Sequence, residues 1–83
     1  MGKRHRRTLD AIFENPVRSD IRWSAVESLV KALGGQVSER EGSRVAFVLN
    51  GMTAVFHRPH PKPVAKKWTI RDVRDFLERA GVK

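Results

Sequence analysis

The 83-residue sequence contains no cysteine, so it can form neither disulfide bonds nor thiolate metal sites. No apolar run approaches the roughly 18 residues that a membrane-spanning helix needs. No apolar segment follows the basic N-terminus, so we expect no signal peptide and a cytoplasmic location. Phosphate-binding-loop, dinucleotide-binding and zinc-finger patterns are absent too, and we expect no cofactor. The length corresponds to one domain of modest stability.

Acidic residues are scarce: the chain has 9 Asp and Glu against 17 Lys and Arg, a net charge of +8. A pI near 11.2 indicates a polyanionic partner. Eleven of the 17 cations are arginine, which favours bidentate phosphate contacts. Nucleic acid is therefore the favoured partner. The alternatives are an acidic protein and a basic charge without any partner.

Residues 41–60, EGSRVAFVLNGMTAVFHRPH, have the pattern of a β-hairpin. Asn50-Gly51 is the strongest short-range signal for a two-residue type I′ turn, and this turn places Arg44 directly opposite His57. Side chains alternate between the two faces of a strand, so one face of the hairpin is predicted to be apolar and the other mixed. The apolar face carries Val45, Phe47, Leu49, Met52, Ala54 and Phe56, and the mixed face carries Arg44, Ala46, Val48, Thr53, Val55 and His57.

Three short stretches precede the hairpin in the N-terminal half. Residues 3–7 are predicted to be a short, mobile basic arm, and Thr8 is predicted to cap a short helix over residues 9–14. Residues 36–40 have the pattern of a short strand with Val37 pointing inward.

Capping signals mark two further helices. Ser24 and Glu27 have capping-box spacing before a helix over residues 25–33, and Thr69 and Asp72 repeat it before residues 70–80. Both helices carry apolar stripes, formed by Val26, Leu29, Val30 and Leu33 in the first and by Ile70, Val73, Phe76 or Leu77, and Ala80 in the second. The predicted fold is therefore α+β, with an α-β-β-β-α core, a three-stranded antiparallel sheet, both helices on one face and a short extra N-terminal helix.

The pair of Arg44 and His57 suggests phosphodiester chemistry at the open end of the hairpin. RNA cleavage needs a base, an acid and a cation beside the phosphorus, and histidine and arginine supply these roles. His60, held between Pro59 and Pro61, is the second proton-transfer candidate. The alternatives are RNA contact without chemistry and polar residues that merely end a strand pair. Two histidines without a nearby carboxylate make a poor metal site.

A second basic cluster follows in the proline-rich segment and at the start of the last helix. Lysines before a helix N-terminus strengthen its attraction for phosphate. Candidate RNA-binding residues are Arg58, Lys62, Lys66, Lys67, Ser43 and Arg71. Trp23 and Trp68 precede helices, where tryptophan most often packs against the first turn, and stacking of Trp68 on a base is the alternative.

Several short motifs in combination resemble the HicA family of toxins, over about residues 22–82. The matching pieces are the amphipathic helix before Gly34, Gly42-Ser43, Pro59-His60, Lys66-Lys67 with Thr69, and the ending FLERAGV of residues 76–82. The resemblance implies a fold like the double-stranded-RNA-binding domain, cleavage of mRNA without a metal, and neutralisation by an antitoxin of the HicB family. Residues 1–22 would then be a basic extension and residues 23–83 the family core of a single domain.

One position departs from the family pattern, which has Gly-Ser-His where this chain has Gly42-Ser43-Arg44. Arginine does not deprotonate near neutral pH and cannot act as a general base. Either His57 has taken over the proton transfer, or the protein binds RNA without cutting it, or it is a subunit whose basic face receives an acidic antitoxin. An antitoxin is expected to cover Arg44, His57 and residues 58–67, with Ala46, Val48 and Val55 as apolar anchors.

Overall fold

A computed structural model describes residues 1–83 as three helices and one antiparallel sheet. The helices are α1 (Lys3–Ile12), α2 (Trp23–Ala32) and α3 (Lys67–Arg79), and the strands are β1 (Gln36–Glu39), β2 (Arg44–Leu49) and β3 (Met52–His57), in the order β1-β2-β3. This is the predicted α+β arrangement, an α-β-β-β-α core with an extra N-terminal helix. None of the helices is long and apolar enough to cross a membrane.

The β2–β3 hairpin has the predicted turn and register. Asn50 and Gly51 have φ angles of 49° and 79°, in the left-handed region that a type I′ turn requires at both positions. Arg44 pairs with His57 at the open end. The Asn50 side chain donates a hydrogen bond to the carbonyl of Ala80 at 2.8 Å, which fastens the turn to the end of α3.

The core lies between one face of the sheet and helices α2 and α3, as the apolar stripes predict. Trp23 of α2 stacks on Phe47 of β2 with a centroid distance of 5.6 Å. Phe56 and Phe76 complete the aromatic cluster, with Phe47 to Phe56 at 5.1 Å. Aromatic pairs at these distances add stability beyond the area they bury. Trp23 is thus a packing residue, as its position before the predicted helix suggests.

The opposite sheet face has no helix over it, but it is less open than predicted. Ala46 is fully buried, because it lies on the central strand between its neighbours Ser38 and Val55. The prediction that Ala46 is an uncovered anchor is therefore wrong. Val48 is half-buried and Val55 is 51% exposed.

Neither predicted capping box forms. Helix α2 begins at Trp23 and α3 at Lys67, and neither N-cap residue makes a side-chain capping bond. The first amide of α2 donates to the Pro63 carbonyl at 2.9 Å, so a distant segment satisfies one of the free amides at the start of this helix. Thr69 lies inside α3, whose first turn starts two residues before it.

The basic N-terminal arm is helical, contrary to the prediction. Helix α1 starts at Lys3, and Thr8 is inside it, with its hydroxyl donating to the Arg4 carbonyl at 3.1 Å. The helix packs against α2 and α3 through the fully buried Ile12. Arg74 of α3 donates to the backbone carbonyls of Ile12 and Glu14, which fastens the end of α1 to the core.

Candidate nucleic-acid interface

The candidate site lies at the open end of the hairpin, where β2 begins and β3 ends. The Arg58 amide donates to the Ser43 carbonyl at 2.9 Å, which extends the ladder beyond the Arg44–His57 pair. Gly42 and Ser43 both have left-handed φ angles, 67° and 64°. For a serine this conformation is worth about 1–2 kcal/mol of strain, so the surrounding structure must hold it in place. A strained, tight turn therefore sets the position of Arg44.

A smaller cleft of about 360 Å³ contains Arg44. Its walls are Glu39, Arg40, Ser43, Arg44, Arg58, Pro59 and His60. The Arg44 side chain is exposed. Its Nε–H donates a hydrogen bond to the Glu41 carbonyl at 3.0 Å, and its terminal nitrogens face solvent. The cleft therefore offers two cations without a carboxylate partner, Arg40 and Arg44.

A larger cleft of about 650 Å³ contains His57. Its walls are Ser19, His57, Arg58, Pro59, His60, Pro61, Lys62, Val64, Ala65, Lys66, Trp68 and Thr69. Trp68 is 61% exposed, and the ammonium of Lys66 lies 4.8 Å from its ring centroid. An exposed ring beside a cation suits stacking on a base and contact with its phosphate.

Arg58 lines both clefts, together with Pro59 and His60. Its guanidinium bonds to Glu27 of α2 at 3.0 Å and to Glu39 of β1. The hydrogen bonds that Arg58 donates, first the one to Glu27 and then the one to Glu39, raise the pKa of Arg58 above its ordinary value. The pairing offsets its charge and ties the end of β3 to α2 and β1. These bonds therefore anchor the chain immediately before Pro59 and His60.

The structure brings together most of the predicted site residues, but in two groups. His57, His60, Lys62 and Lys66 share the larger cleft, while Ser43 and Arg44 share the smaller one with His60. His60 therefore borders both clefts, whereas His57 borders only one. Lys67 and Arg71 lie on α3 and line neither cleft. No three His, Asp or Glu side chains come together at any point of the molecule.

Three residues of the site were not anticipated in their roles. For Arg40 the sequence pattern predicts only the end of a strand, although a charge beside the Gly42-Ser43 turn is a usable signal. For Glu27 it predicts a role in a capping box, and no pattern singles out Glu39. No local sequence pattern pairs Glu27 or Glu39 with Arg58, since these two residues lie 31 and 19 positions from it along the chain.

The fold and the clefts together define a small basic α+β domain of the double-stranded-RNA-binding-domain type, with two clefts at one end of its sheet. A family model described as the HicA toxin of bacterial toxin-antitoxin systems matches residues 23–82. The chain therefore belongs to the HicA toxin family. Searches of curated proteins and of solved structures returned no significant match. Helix α1 lies outside the matched residues.

Proposed function

We propose that this protein is a metal-independent endoribonuclease that cleaves mRNA as the toxin of a toxin-antitoxin pair, with a HicB-like antitoxin as its inhibitor. Membership of the HicA family carries the proposal. The convergence of two histidines and unpaired cations at the open end of the hairpin supports it.

The proposed reaction is transfer of the phosphodiester to the 2′-hydroxyl. One histidine takes the proton of the 2′-hydroxyl, whose oxygen attacks phosphorus. A second group gives a proton to the 5′-oxygen as its bond to phosphorus breaks, which leaves a 2′,3′-cyclic phosphate and a 5′-hydroxyl. His57 and His60 line one cleft and can divide these two steps, with His57 as the first candidate. Arg44 would stabilise the negative charge on the phosphate.

The remaining predicted residues would hold the RNA. Lys62 and Lys66 line the larger cleft beside Trp68, where a base can stack while the lysines contact its phosphates. Ser43, Lys67 and Arg71 are exposed and would add contacts to the backbone. We expect Arg58 to contribute mainly by holding Pro59 and His60, because its charge is already shared with Glu27 and Glu39.

The deciding experiment is cleavage of a labelled RNA by the purified protein, in one series with a chelator and in a second series with added divalent metals. We expect His57→Ala to lower the rate by about 10²–10⁴, as the loss of one acid or base group does. Thr53→Ala is the control, because Thr53 is an exposed residue of the same strand and sheet face as His57 and lines neither cleft. If His60→Ala is inactive and His57→Ala is not, the first proton-transfer role moves to His60. RNA left intact by the wild-type protein at every pH and with every metal would reject the enzyme proposal.

A second candidate function is RNA binding without cleavage, and Arg44 is the observation that favours it. The family pattern has histidine at this position, and arginine cannot take a proton. This candidate predicts RNA binding with a steep salt dependence, a flatter slope in Lys66→Ala/Lys67→Ala, and no cleavage product. Affinity that does not change with salt would reject RNA binding in both candidates.

The antitoxin is proposed to act by covering the RNA site. An acidic partner over Arg44, His57 and residues 58–67 would block substrate access, with Val48 and Val55 rather than Ala46 as apolar anchors. The purified complex should neither bind nor cut RNA, and proteolysis of the antitoxin should restore both. A complex in which RNA and antitoxin bind together without weakening each other would reject this mode of inhibition.

A further inference from the structure

A third cleft lies between α1 and α2, away from the two clefts described above. It has a volume of about 210 Å³ and is lined by Arg4, His5, Thr8, Arg22, Ser24, Ala25 and Ser28. All but Ala25 carry a polar or titratable side chain. Arginine and hydroxyl groups of this kind are the usual donors to phosphate oxygens in protein–nucleic-acid complexes.

The cations of α1 and Arg22 have no carboxylate partner. Lys3, Arg4, Arg6, Arg7 and Arg22 are exposed and form no ion pair, and Arg4 and Arg22 line the groove itself. In this they resemble Arg40 and Arg44 of the smaller cleft and differ from Arg18, Arg58 and Arg79, which each bond to at least one carboxylate. The charge on α1 is thus left available to a ligand.

The arrangement of charge on α1 opposes the stability of the helix itself. Its cations lie in the N-terminal half, no acidic residue occupies the first turn, and the last turn has no basic residue. The helix dipole disfavours cations at the N-terminus by a few tenths of a kcal/mol each. A bound anion would remove this repulsion. Departures from local preference of this kind are expected where a residue serves a function.

The groove connects to the larger cleft through Arg22. This residue forms a β-bridge with Val64, and Trp23, which follows it, donates to the Pro63 carbonyl. Val64 in turn lines the larger cleft, next to Lys62 and Lys66 along the chain. A single strand that leaves this cleft over Val64 therefore meets Arg22 and then Arg4.

Helix α1 is docked on the rest of the molecule at its C-terminal end. Ile12 is fully buried, and Arg74 binds the carbonyls at the end of the helix and the Asn15 side chain, the last at 3.2 Å. The cations therefore lie on a docked helix.

We infer that the groove between α1 and α2 is a second binding site for the RNA backbone, which lengthens the path of the RNA from the larger cleft past Arg22 onto α1. The inference rests on the proposed RNA-binding function and adds a site formed largely by residues outside the HicA-matched segment. The substrate is then a single-stranded RNA longer than the catalytic clefts alone require.

The test compares the affinities of a short and a long single-stranded RNA, of about 4 and about 16 nucleotides, the range of site sizes known for single-strand binders. The variant Arg4→Gln/Arg22→Gln should lower the affinity for the long RNA roughly tenfold and bring the ratio of the two affinities close to one. Its salt slope on the long RNA should fall by about 1.4, since each single-strand phosphate contact adds about 0.7.

The matched control is Lys31→Gln/Arg79→Gln, which removes the same charge near the C-terminal ends of α2 and α3. It should keep the preference for the long RNA. Arg4 and Arg22 are exposed, and circular dichroism and thermal melting will verify that their variant folds.

Each contrary result has a distinct meaning. Equal losses of affinity for the long RNA in the two double variants would overturn the second site, because the effect would then follow from net charge alone. Weaker binding of a purified antitoxin by Arg4→Gln/Arg22→Gln, with RNA affinities unchanged, would overturn it in favour of a protein partner. If the wild-type protein binds neither RNA at low salt, the proposed function itself fails.

Discussion

The two faces of the β2–β3 hairpin come from alternating residues of the same strands, yet they have opposite roles. Phe47 faces α2 and α3 and is fully buried, while Val55 on the other face is 51% exposed. The covered face is crowded with aromatic rings whose centroids lie 5.1–6.3 Å apart. The other face has no helix over it and ends in Arg44 and His57.

The difference shows where this small domain can place charge. Every one of its fully buried side chains is hydrophobic, so the covered face leaves no room for polar chemistry. The open face and the loops at its end tolerate unpaired cations, because water solvates them. Function is therefore expected at the end of the sheet, and stability on its covered face.

The largest effect is expected from Phe47→Ala on the covered face. Removal of a buried aromatic side chain should lower the free energy of unfolding by about 3–5 kcal/mol. Denaturant unfolding followed by circular dichroism will measure this. A loss below about 1 kcal/mol would mean that the covered face is not the core of the domain.

Asn50→Ala tests the turn that decides which face each residue occupies. Alanine disfavours the left-handed φ of 49° and cannot bond to the Ala80 carbonyl, so a loss of about 2 kcal/mol is expected. Asn50→Gly is the control, because it tolerates the positive φ and loses only the hydrogen bond, worth about 1 kcal/mol. Equal losses in the two variants would assign the whole effect to the bond.

Glu27→Gln tests the link between the open end of the hairpin and α2. The variant keeps one hydrogen bond to Arg58 and loses the charge, so we expect a loss of about 1 kcal/mol after allowance for partial exposure. Glu14→Gln is the control, since Glu14 pairs with Arg18 at 3.2 Å on the exposed surface. Its effect should stay within about 0.5 kcal/mol. Thermal melts of both variants in one buffer will provide the comparison.

The smallest effect on stability is expected from Val55→Ala on the open face. An exposed side chain contributes little, so the free energy of unfolding should change by no more than about 0.5 kcal/mol. Faster dissociation of a purified antitoxin is expected from the same variant, because Val55 is a proposed anchor. A variant that destabilises the toxin but binds antitoxin normally would contradict both statements.

Much of the fold follows from patterns that link residues within about ten positions of each other. Asn50-Gly51 set the register that pairs Arg44 with His57, and the stripe from Ile70 to Ala80 identified the buried side of α3. The helix starts did not follow from such patterns. Ser24 and Thr69 have the right chemistry for caps, but α2 begins where Trp23 meets the Pro63 carbonyl, a contact 40 residues away in sequence.

The candidate site could be predicted only in part, again because some of its contacts join residues that are distant in sequence. The local hairpin pattern identified Arg44, His57 and His60. The two clefts meet at Arg58, Pro59 and His60, and the partners of Arg58 come from α2 and β1. The burial of Ala46 depends on its two cross-strand neighbours, Ser38 and Val55, which the alternation of faces along the hairpin does not take into account.

The sequence by itself determined the turn, the apolar faces, the excess of positive charge and the HicA motifs, because each depends on residue type and short spacing. Only the tertiary structure decided which arginines pair with carboxylates, where the helices begin and how the basic N-terminal helix docks. Those outcomes depend on partners that the chain brings together through folding. An ion pair such as Arg58 with Glu27 requires the fold to bring the end of β3 close to a side chain of α2.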